Sequence, residues 1–228
     1  MNGAKTSTDL LPKLLKVAER AKREPETRIL ALAHLVDEEL MTAAYRRIRK
    51  DAAVGVDGVT KEQYGEHLED NLRGLHTRMR ERRYRHQPIR RVHIPKAPGK
   101  TRPIGISTIE DKIVQNALTM VLEVLYEPVF LDCSYGFRPG RSAHDALRTV
   151  NAACMRGEVN WVLEADIASY FDSIDRKKLM EMLRQRVNDE SFLRLVGGRP
   201  GWRCRERQVQ NRRKAQRCQP TTVSGFTT

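Results

Sequence analysis

Apolar residues recur every three or four positions along most of the chain, which is the spacing of amphipathic helices. This pattern predicts helices over residues 10–23, 27–50, 62–83, 109–128 and 143–156. Asp175 directly precedes another such run, formed by Leu179, Met182, Leu183 and Val187, so we expect Asp175 to cap the start of a further helix. The apolar pattern therefore predicts a mainly helical protein.

A different, alternating pattern runs from Ile89 to Lys96 and resumes from Arg102 to Ile106. The turn residues 97–100 separate the two stretches, so together they predict a β-hairpin. Lys96, Lys100 and Arg102 would lie near its tip. Three clustered cations suit a triphosphate, although charge at a hairpin tip can equally serve solubility.

Residues 161–167 have the apolar density of a central strand, yet Asp166 lies where that strand would end. A buried carboxylate needs a partner that offsets its loss of hydration. A divalent cation is one such partner, and two-metal phosphoryl-transfer sites are held between carboxylates. The alternatives are an ion pair with an arginine or a helix cap.

The 228 residues carry a net charge of +13, which favours a nucleic-acid partner. Residues 199–228 alone contribute +7. The sequence contains no apolar run long enough to cross a bilayer, and residues 1–9 lack the pattern of a secretion signal. We therefore expect a cytoplasmic protein.

Two segments are candidates for RNA contact. Arg46, Arg47, Arg49 and Lys50 end the second predicted helix, either as a solvated helix end or as contacts to phosphates. The loop 134–142 interleaves aromatic residues with Arg138 and Arg141, a composition that can stack on bases and bind phosphates.

Taken in order, the motifs between Leu40 and Val196 resemble the reverse transcriptase domain of group II intron-encoded proteins, the maturase-reverse transcriptases. The resemblance is carried by Gly-Val-Asp-Gly-Val (55–59), Ile-Pro-Lys with Gly-Lys-Thr-Arg-Pro-Ile-Gly-Ile (94–106), Ile-Glu-Asp-Lys-Ile-Val-Gln (109–115), Cys-Ser-Tyr-Gly-Phe-Arg-Pro-Gly-Arg-Ser (133–142) and Glu-Ala-Asp-Ile-Ala-Ser-Tyr-Phe-Asp-Ser-Ile (164–174).

The resemblance implies an α+β fold, an incomplete right-hand polymerase. It would consist of a helical N-terminal region (1–50), fingers and a partial palm (51–196) and a basic tail (197–228). The implied activity is RNA-directed DNA synthesis on an RNA template from a DNA primer, together with binding of intron RNA.

The resemblance also implies roles for individual residues. Asp166 would be the catalytic, metal-binding aspartate, and the Ile167 carbonyl would be a further ligand of Mg²⁺. Lys96 and Arg102 would hold the incoming dNTP, and Phe171 would lie against the sugar to exclude a 2′-hydroxyl. The resemblance places Arg138 and the loop 134–142, which includes Arg141, near the RNA template. The RNA contacts predicted for Arg46, Arg47 and Lys50 rest on the charge of their helix end and not on the resemblance.

The resemblance ends where the family's palm continues to Gly-Thr-x-Gln-Gly, Ser-Pro-Leu-Leu and a paired-aspartate hairpin. Codons for 209–223 can be chosen so that other frames approximate the first two segments, and we hypothesise a frameshifted, non-native tail. With one carboxylate of three, this chain alone is expected not to polymerise. The alternative is a basic RNA-binding remnant without chemistry.

Overall fold

The computed structural model describes residues 11–97, 100–157, 159, 161–168 and 170–198, with only the backbone described at residues 96, 97, 100, 171 and 172. In chain order the elements are α1 (Pro12–Arg23), α2 (Glu38–Arg47), α3 (Lys61–Gly65), α4 (Leu68–Arg80), β1 (Arg90–Ala97), β2 (Lys100–Ile106), α5 (Ile109–Tyr126), α6 (Ala143–Met155), α7 (Tyr170–Ser173), α8 (Arg176–Arg186) and α9 (Glu190–Gly197). The predicted mixture of helices with a small β component is confirmed. The tail interpreted as frameshifted lies outside the described residues, apart from Gly197 and Gly198.

Helix α5 forms the centre of the core because more than half of its residues are buried. Thr108 caps its start through a hydrogen bond from the Asp111 amide to the threonine hydroxyl. Helices α1 and α2 both pack against α5, and Phe192 and Leu193 of α9 are fully buried in the same cluster. The N-terminal helices and the segment after residue 50 therefore share one hydrophobic core.

The segment 27–50, predicted as one helix, is interrupted by tertiary hydrogen bonds. Ile29 forms a parallel bridge with Val187, in which the Ile29 amide donates to the Arg186 carbonyl at 2.8 Å. A single 3₁₀ turn follows at 33–35, and α2 begins only after Asp37. The prediction of a continuous helix was wrong because residues 29–33 bond to the distant segment 186–189 instead of to their own turn.

The segment 62–83 is likewise two helices. A capping box starts α3, with the Gln63 amide donating to the Thr60 hydroxyl and the Thr60 amide donating to the Gln63 side chain. The Asn71 side-chain amide donates to the Tyr64 carbonyl at 3.0 Å, close to the break between α3 and α4. Local capping thus divides a region that apolar spacing alone represents as continuous.

The predicted hairpin is confirmed. Strands β1 and β2 pair antiparallel from Arg90 opposite Ile106 to Ala97 opposite Lys100, with an irregularity between Pro95 and Ala97. The Arg90 guanidinium donates to the Val54 carbonyl at 3.0 Å, which attaches the base of the hairpin to the 55–59 motif.

Burial is distributed very unevenly along the chain. Among the described residues from 126 to 186, none is buried, and α6 has no buried residue although it carries Leu147, Val150 and Met155. The strand predicted at 161–167 was wrong: the described residues 161–168 form no strand and are exposed, including Trp161 at 92%. A strand needs hydrogen-bonded neighbours and a face to bury, and no neighbouring strand lies beside it within the described chain.

No helix of the described chain combines the length and apolar character that membrane crossing requires.

Gly55 is the point of closest approach between the 55–59 motif and the start of α5. A Cβ at Gly55 would lie 2.6 Å from the Thr108 Cα and 2.7 Å from its nitrogen, both backbone atoms that cannot rotate away. We expect Gly55→Ala to lower the free energy of unfolding by about 1–3 kcal/mol. Urea unfolding followed by circular dichroism measures this change.

Gly74→Ala is the matched control. Gly74 lies exposed within α4 with no atom near a Cβ position, so this variant should be about 0.5–1 kcal/mol more stable than the parent. Equal unfolding midpoints for Gly55→Ala and the parent would contradict the packing argument.

Candidate functional site

The hairpin carries the predicted nucleotide-binding cations away from the core. Arg102 is exposed on β2 and lies opposite Ile94. Lys96 lies on β1 at the irregularity near the tip. Ile94 and Ile104 also remain exposed, so the strands form a projecting arm and not part of the core.

A cavity of about 470 Å³ joins the base of this hairpin to the chain that follows α2. Its lining includes Arg49, Gly105, Ser107 and Lys112. The Lys112 ammonium donates to the Ala53 carbonyl, which places α5 against the same segment. The structure therefore brings together the basic end of α2, the 55–59 motif and the hairpin base, which are far apart in sequence.

The basic residues at the end of α2 separate into two groups. Arg47 is half-buried and pairs with Glu123 of α5 at 3.1 Å. Arg46 and Lys50 are exposed, and Arg49 pairs with Asp51 at 2.6 Å. Of the predicted RNA-binding residues at this end, Arg47 supports helix packing, whereas Arg46 and Lys50 face solvent.

The predicted catalytic residue lies on the exposed segment 161–168. Asp166 and Ile167 are both exposed, and Asp166 forms no ion pair or hydrogen bond with any described residue. Phe171 lies in the short helix α7, where only its backbone is described. Among the described residues, Asp166 therefore does not form the ion pair with an arginine that was the alternative to metal binding.

The carboxylate of Asp166 and the carbonyl of Ile167 are oxygen donors, which Mg²⁺ prefers. However, no group of three or more His, Cys, Asp or Glu side chains able to hold a metal occurs among the described residues.

Arg138 lies inside the loop that it was predicted to extend toward RNA. Its side chain is only 7% exposed, and its guanidinium pairs with Glu127 at 2.8 Å. The same group donates to the carbonyls of Leu131 and Ser134, both at 2.8 Å. Hydrogen bonding to Glu127 raises the pKa of Arg138. Arg138 therefore holds the loop together, and Arg141, paired with Asp132 at 3.1 Å, lies nearer the surface.

A buried network around Asp111 was not singled out by sequence. The Asp111 carboxylate accepts hydrogen bonds from the Tyr84 hydroxyl at 2.5 Å and the Gln87 amide at 3.0 Å, and its distance to the His86 Nδ1 is 3.3 Å. The His86 Nε2 lies 3.4 Å from the Leu195 carbonyl of α9. Because these partners come from three separate segments, spacing in the sequence could not reveal them.

The pKa values of this network reflect its burial and its hydrogen bonds. Burial alone raises the pKa of Asp111, but hydrogen bonds from His86, Tyr84 and the Gln87 amide bring it below its ordinary value. The hydrogen bond to Asp111 raises the pKa of His86 against the opposing effect of burial. Aspartate and histidine therefore favour the charged pair.

Asp189 forms a second hydrogen-bonded network that the sequence pattern did not predict. One carboxylate oxygen caps α9 by accepting from the Ser191 and Phe192 amides, and the other accepts from the Leu32 and Ala33 amides at 2.7 and 2.8 Å. Burial raises the pKa of Asp189, but these four amides lower it below the ordinary value. This carboxylate therefore joins the start of α9 to the segment that precedes α2.

A sequence model of the family described as "Reverse transcriptase (RNA-dependent DNA polymerase)" matches residues 94–221. The matched range includes the hairpin from Ile94 onward, α5, the loop around Arg138 and Asp166. It also continues past Gly197 into the basic tail. The hypothesis that this tail is frameshifted stays a prediction.

Individual proteins are similar to this chain over most or part of its length. Protein YkfC of Escherichia coli (strain K12) is 38% identical over 188 residues, covering 79% of this chain and 49% of the relative. The group II intron-encoded protein LtrA of Lactococcus lactis subsp. cremoris is 31% identical over 193 residues, covering 84% and 32% respectively. Nuclear intron maturase 1, mitochondrial, of Arabidopsis thaliana is 33% identical over 87 residues, covering 38% and 12%. The chain thus spans about half or less of the length of these relatives.

The Asp111 network predicts a stability maximum in mildly acidic solution. The contribution of Asp111, whose pKa is lowered on folding, is present above its ordinary pKa and is lost as the pH falls through the lowered value. The contribution of His86, whose pKa is raised, is present below its ordinary pKa and is lost as the pH rises through the raised value. We expect the highest unfolding free energy between about pH 4 and 6.5, the ordinary pKa values of the two groups.

Urea unfolding at a series of pH values tests this expectation. His86→Gln should flatten the decline of the unfolding free energy above about pH 6.5. His34→Gln, which changes an exposed histidine, is the matched control and should leave that decline unchanged. An identical decline in the parent and His86→Gln would show that this pair does not set the pH dependence.

Proposed function

Because the chain belongs to the reverse transcriptase family, we propose that it provides the fingers and the first part of the palm of an RNA-directed DNA polymerase of the group II intron maturase type. The observation that carries this proposal is the family match over residues 94–221, which includes the tip and second strand of the basic hairpin as well as Asp166. The substrates would be an RNA template, a DNA primer and dNTPs, and the intron RNA would be a further partner. The right-hand arrangement of fingers and palm is part of the same proposal.

Binding of the dNTP triphosphate is assigned to the projecting hairpin. Arg102 is exposed on β2, and Lys96 lies on the paired strand near the tip. A guanidinium and an ammonium are suited to phosphate oxygens because both are charged hydrogen-bond donors. The bond from Arg90 to the Val54 carbonyl supports this assignment, because it fixes the base from which the arm projects. Phe171 would contact the nucleotide's sugar.

Asp166 and the Ile167 carbonyl would contribute two oxygen ligands to Mg²⁺, with the remaining carboxylates supplied from outside the described residues. We further propose that the 228-residue chain alone binds RNA but does not incorporate nucleotides. This part of the proposal is supported by the exposed position of Asp166 outside any strand of the described chain. A non-catalytic RNA-binding remnant is therefore a second candidate for the function of this chain.

Primer extension separates catalysis from binding. The full 228-residue chain, incubated with an RNA template annealed to a DNA primer, Mg²⁺ and labelled dNTPs, should give no extended product on a sequencing gel. A commercial reverse transcriptase provides the positive control for the reaction conditions.

Asp166→Ala and Glu164→Gln are the variants for this assay, because both carboxylates are exposed on the same segment. Incorporation by the parent that Asp166→Ala abolishes and Glu164→Gln retains would contradict inactivity and would support the catalytic assignment of Asp166. Incorporation retained by both variants would contradict that assignment.

Electrostatic binding to RNA is the second test. Replacing the exposed Arg46 and Lys50 with alanine should weaken binding to single-stranded RNA. It should also reduce the slope of log affinity against log salt by about 1.4, the value for two lost phosphate contacts. Filter binding or fluorescence anisotropy between low and moderate salt measures both effects.

The matched control replaces Lys22 and Arg23 at the end of α1 with alanine. Both residues are exposed, and their replacement removes the same amount of positive charge. This control should change the slope much less. Equal slopes for the two double variants would indicate that the end of α2 is not a specific contact.

A further inference from the structure

The loop between α5 and α6 is held rigidly from inside by Arg138, and every residue of the loop is described. The Arg138 guanidinium bonds to Glu127 and to the carbonyls of Leu131 and Ser134. At the far end, the Ser142 hydroxyl caps α6 by accepting from the Asp145 amide. Hydrogen bonds of Arg138 and Ser142 therefore fix the loop conformation at both ends.

Two aromatic rings of this loop are covered by arginines. The Arg138 guanidinium lies 5.1 Å from the centre of the Phe130 ring, and that of Arg141 lies 5.6 Å from the centre of the Tyr135 ring. The Tyr135 hydroxyl is also 2.8 Å from the Thr149 hydroxyl of α6. Both rings therefore have contacts within the protein that hold them in position.

Phe137 differs from both rings. Its side chain is fully exposed, and it forms no ring or cation contact with any described residue. Its φ of 57° lies in the left-handed region, which is strained for a bulky side chain. The loop therefore presents an apolar ring to water at a cost in backbone strain and hydration.

Comparison with Arg82 shows that this strain is unusual in the described chain, where Arg82 is the other non-glycine residue with positive φ, at 60°. Arg82 follows the C-cap residue of α4, Glu81, and its amide donates to the Met79 carbonyl. A left-handed residue is ordinary in that position because it ends a helix. Phe137 lies at no helix end, and its ring has no packing contact that would offset the strain. Strained and exposed residues of this kind occur preferentially at binding sites.

We propose that Phe137 is a stacking platform for a base of single-stranded RNA. A flat aromatic ring accepts any base on its face, and cations beside it hold the backbone phosphates. The stretch 127–157 contains four arginines and three carboxylates. Arg138, Arg141 and Arg148 each pair with one of those carboxylates, whereas Arg156 is exposed and forms no ion pair with a described residue, so the stretch keeps a net positive charge that favours RNA. Arg138 then acts indirectly, by fixing the loop that presents the ring. This inference rests on the proposed function, because it assigns a contact for the RNA that the chain would bind.

Phe137→Gly distinguishes a binding role from a structural one. Glycine adopts positive φ without strain, and the exposed ring leaves no cavity, so the thermal unfolding midpoint of the full chain should be unchanged or higher. Affinity for a labelled 20-nucleotide oligouridine should fall by about tenfold, as expected for the loss of one stacked base. Phe137→Trp should retain the affinity of the parent.

Leu131→Ala is the matched control, because Leu131 is an exposed apolar residue of the same loop without an aromatic ring. This variant should bind oligouridine like the parent. A second probe, an abasic ribose-phosphate oligomer of equal length, should bind the parent and Phe137→Gly equally, since it has no base to stack.

Each contrary outcome has a distinct meaning. If the parent binds oligouridine and Phe137→Gly binds it equally well, the stacking assignment is overturned while the proposed function stands. If Phe137→Gly unfolds at a lower temperature, the ring packs against protein, and the assignment is also overturned. Failure of the parent itself to bind oligouridine would overturn the RNA-binding function on which the assignment rests.

Discussion

The buried carboxylate of Asp111 is the interaction on which the arrangement of the folded part depends. It accepts hydrogen bonds from the connection between α4 and β1 and lies next to His86, which in turn contacts α9. Removing one partner of such a buried pair is costly because a desolvated charge is left behind, typically about 3–5 kcal/mol. The network therefore fixes where the hairpin leaves the core and where the C-terminal helix returns to it. Asp189 reinforces that return through its bonds to the Leu32 and Ala33 amides.

The described chain consists of a region that contains the buried residues and a region, 126–186, in which no described residue is buried. Buried residues occur between Leu14 and Leu125 and again at Val187, Phe192 and Leu193. Between residues 126 and 186 the described apolar side chains remain in contact with water, and Asp166 lies within this region. Hydrophobic burial is the main favourable term in folding, so most of the stabilisation of the described chain comes from the first region. The relatives, of which this chain spans about half or less, have additional chain length.

The arginines of the motifs show that a basic sequence does not by itself identify a nucleic-acid contact. Arg47 and Arg138 use their guanidinium groups for ion pairs with Glu123 and Glu127, where each stabilises the packing of neighbouring segments. Arginine suits this role because its planar group makes several hydrogen bonds at once and tolerates partial burial. The cations left for solvent, such as Arg46, Lys50 and Arg102, are the ones that the fold makes accessible. An arginine that composition suggests as an RNA contact can therefore instead stabilise the packing of the protein.

The sequence by itself determined the local elements: α1, α5, α6, the hairpin, the cap formed by Asp175, and the family to which the motifs belong. These depend on contacts within a few residues, which apolar spacing and turn residues record directly. Only the tertiary structure decided that residues 29–33 pair with 186–189, that Asp111 is a buried centre, that Arg138 points inward and that 161–167 forms no strand in the described chain. Each of these depends on partners far away in sequence, and a strand or a buried charge takes its final form only when those partners are present.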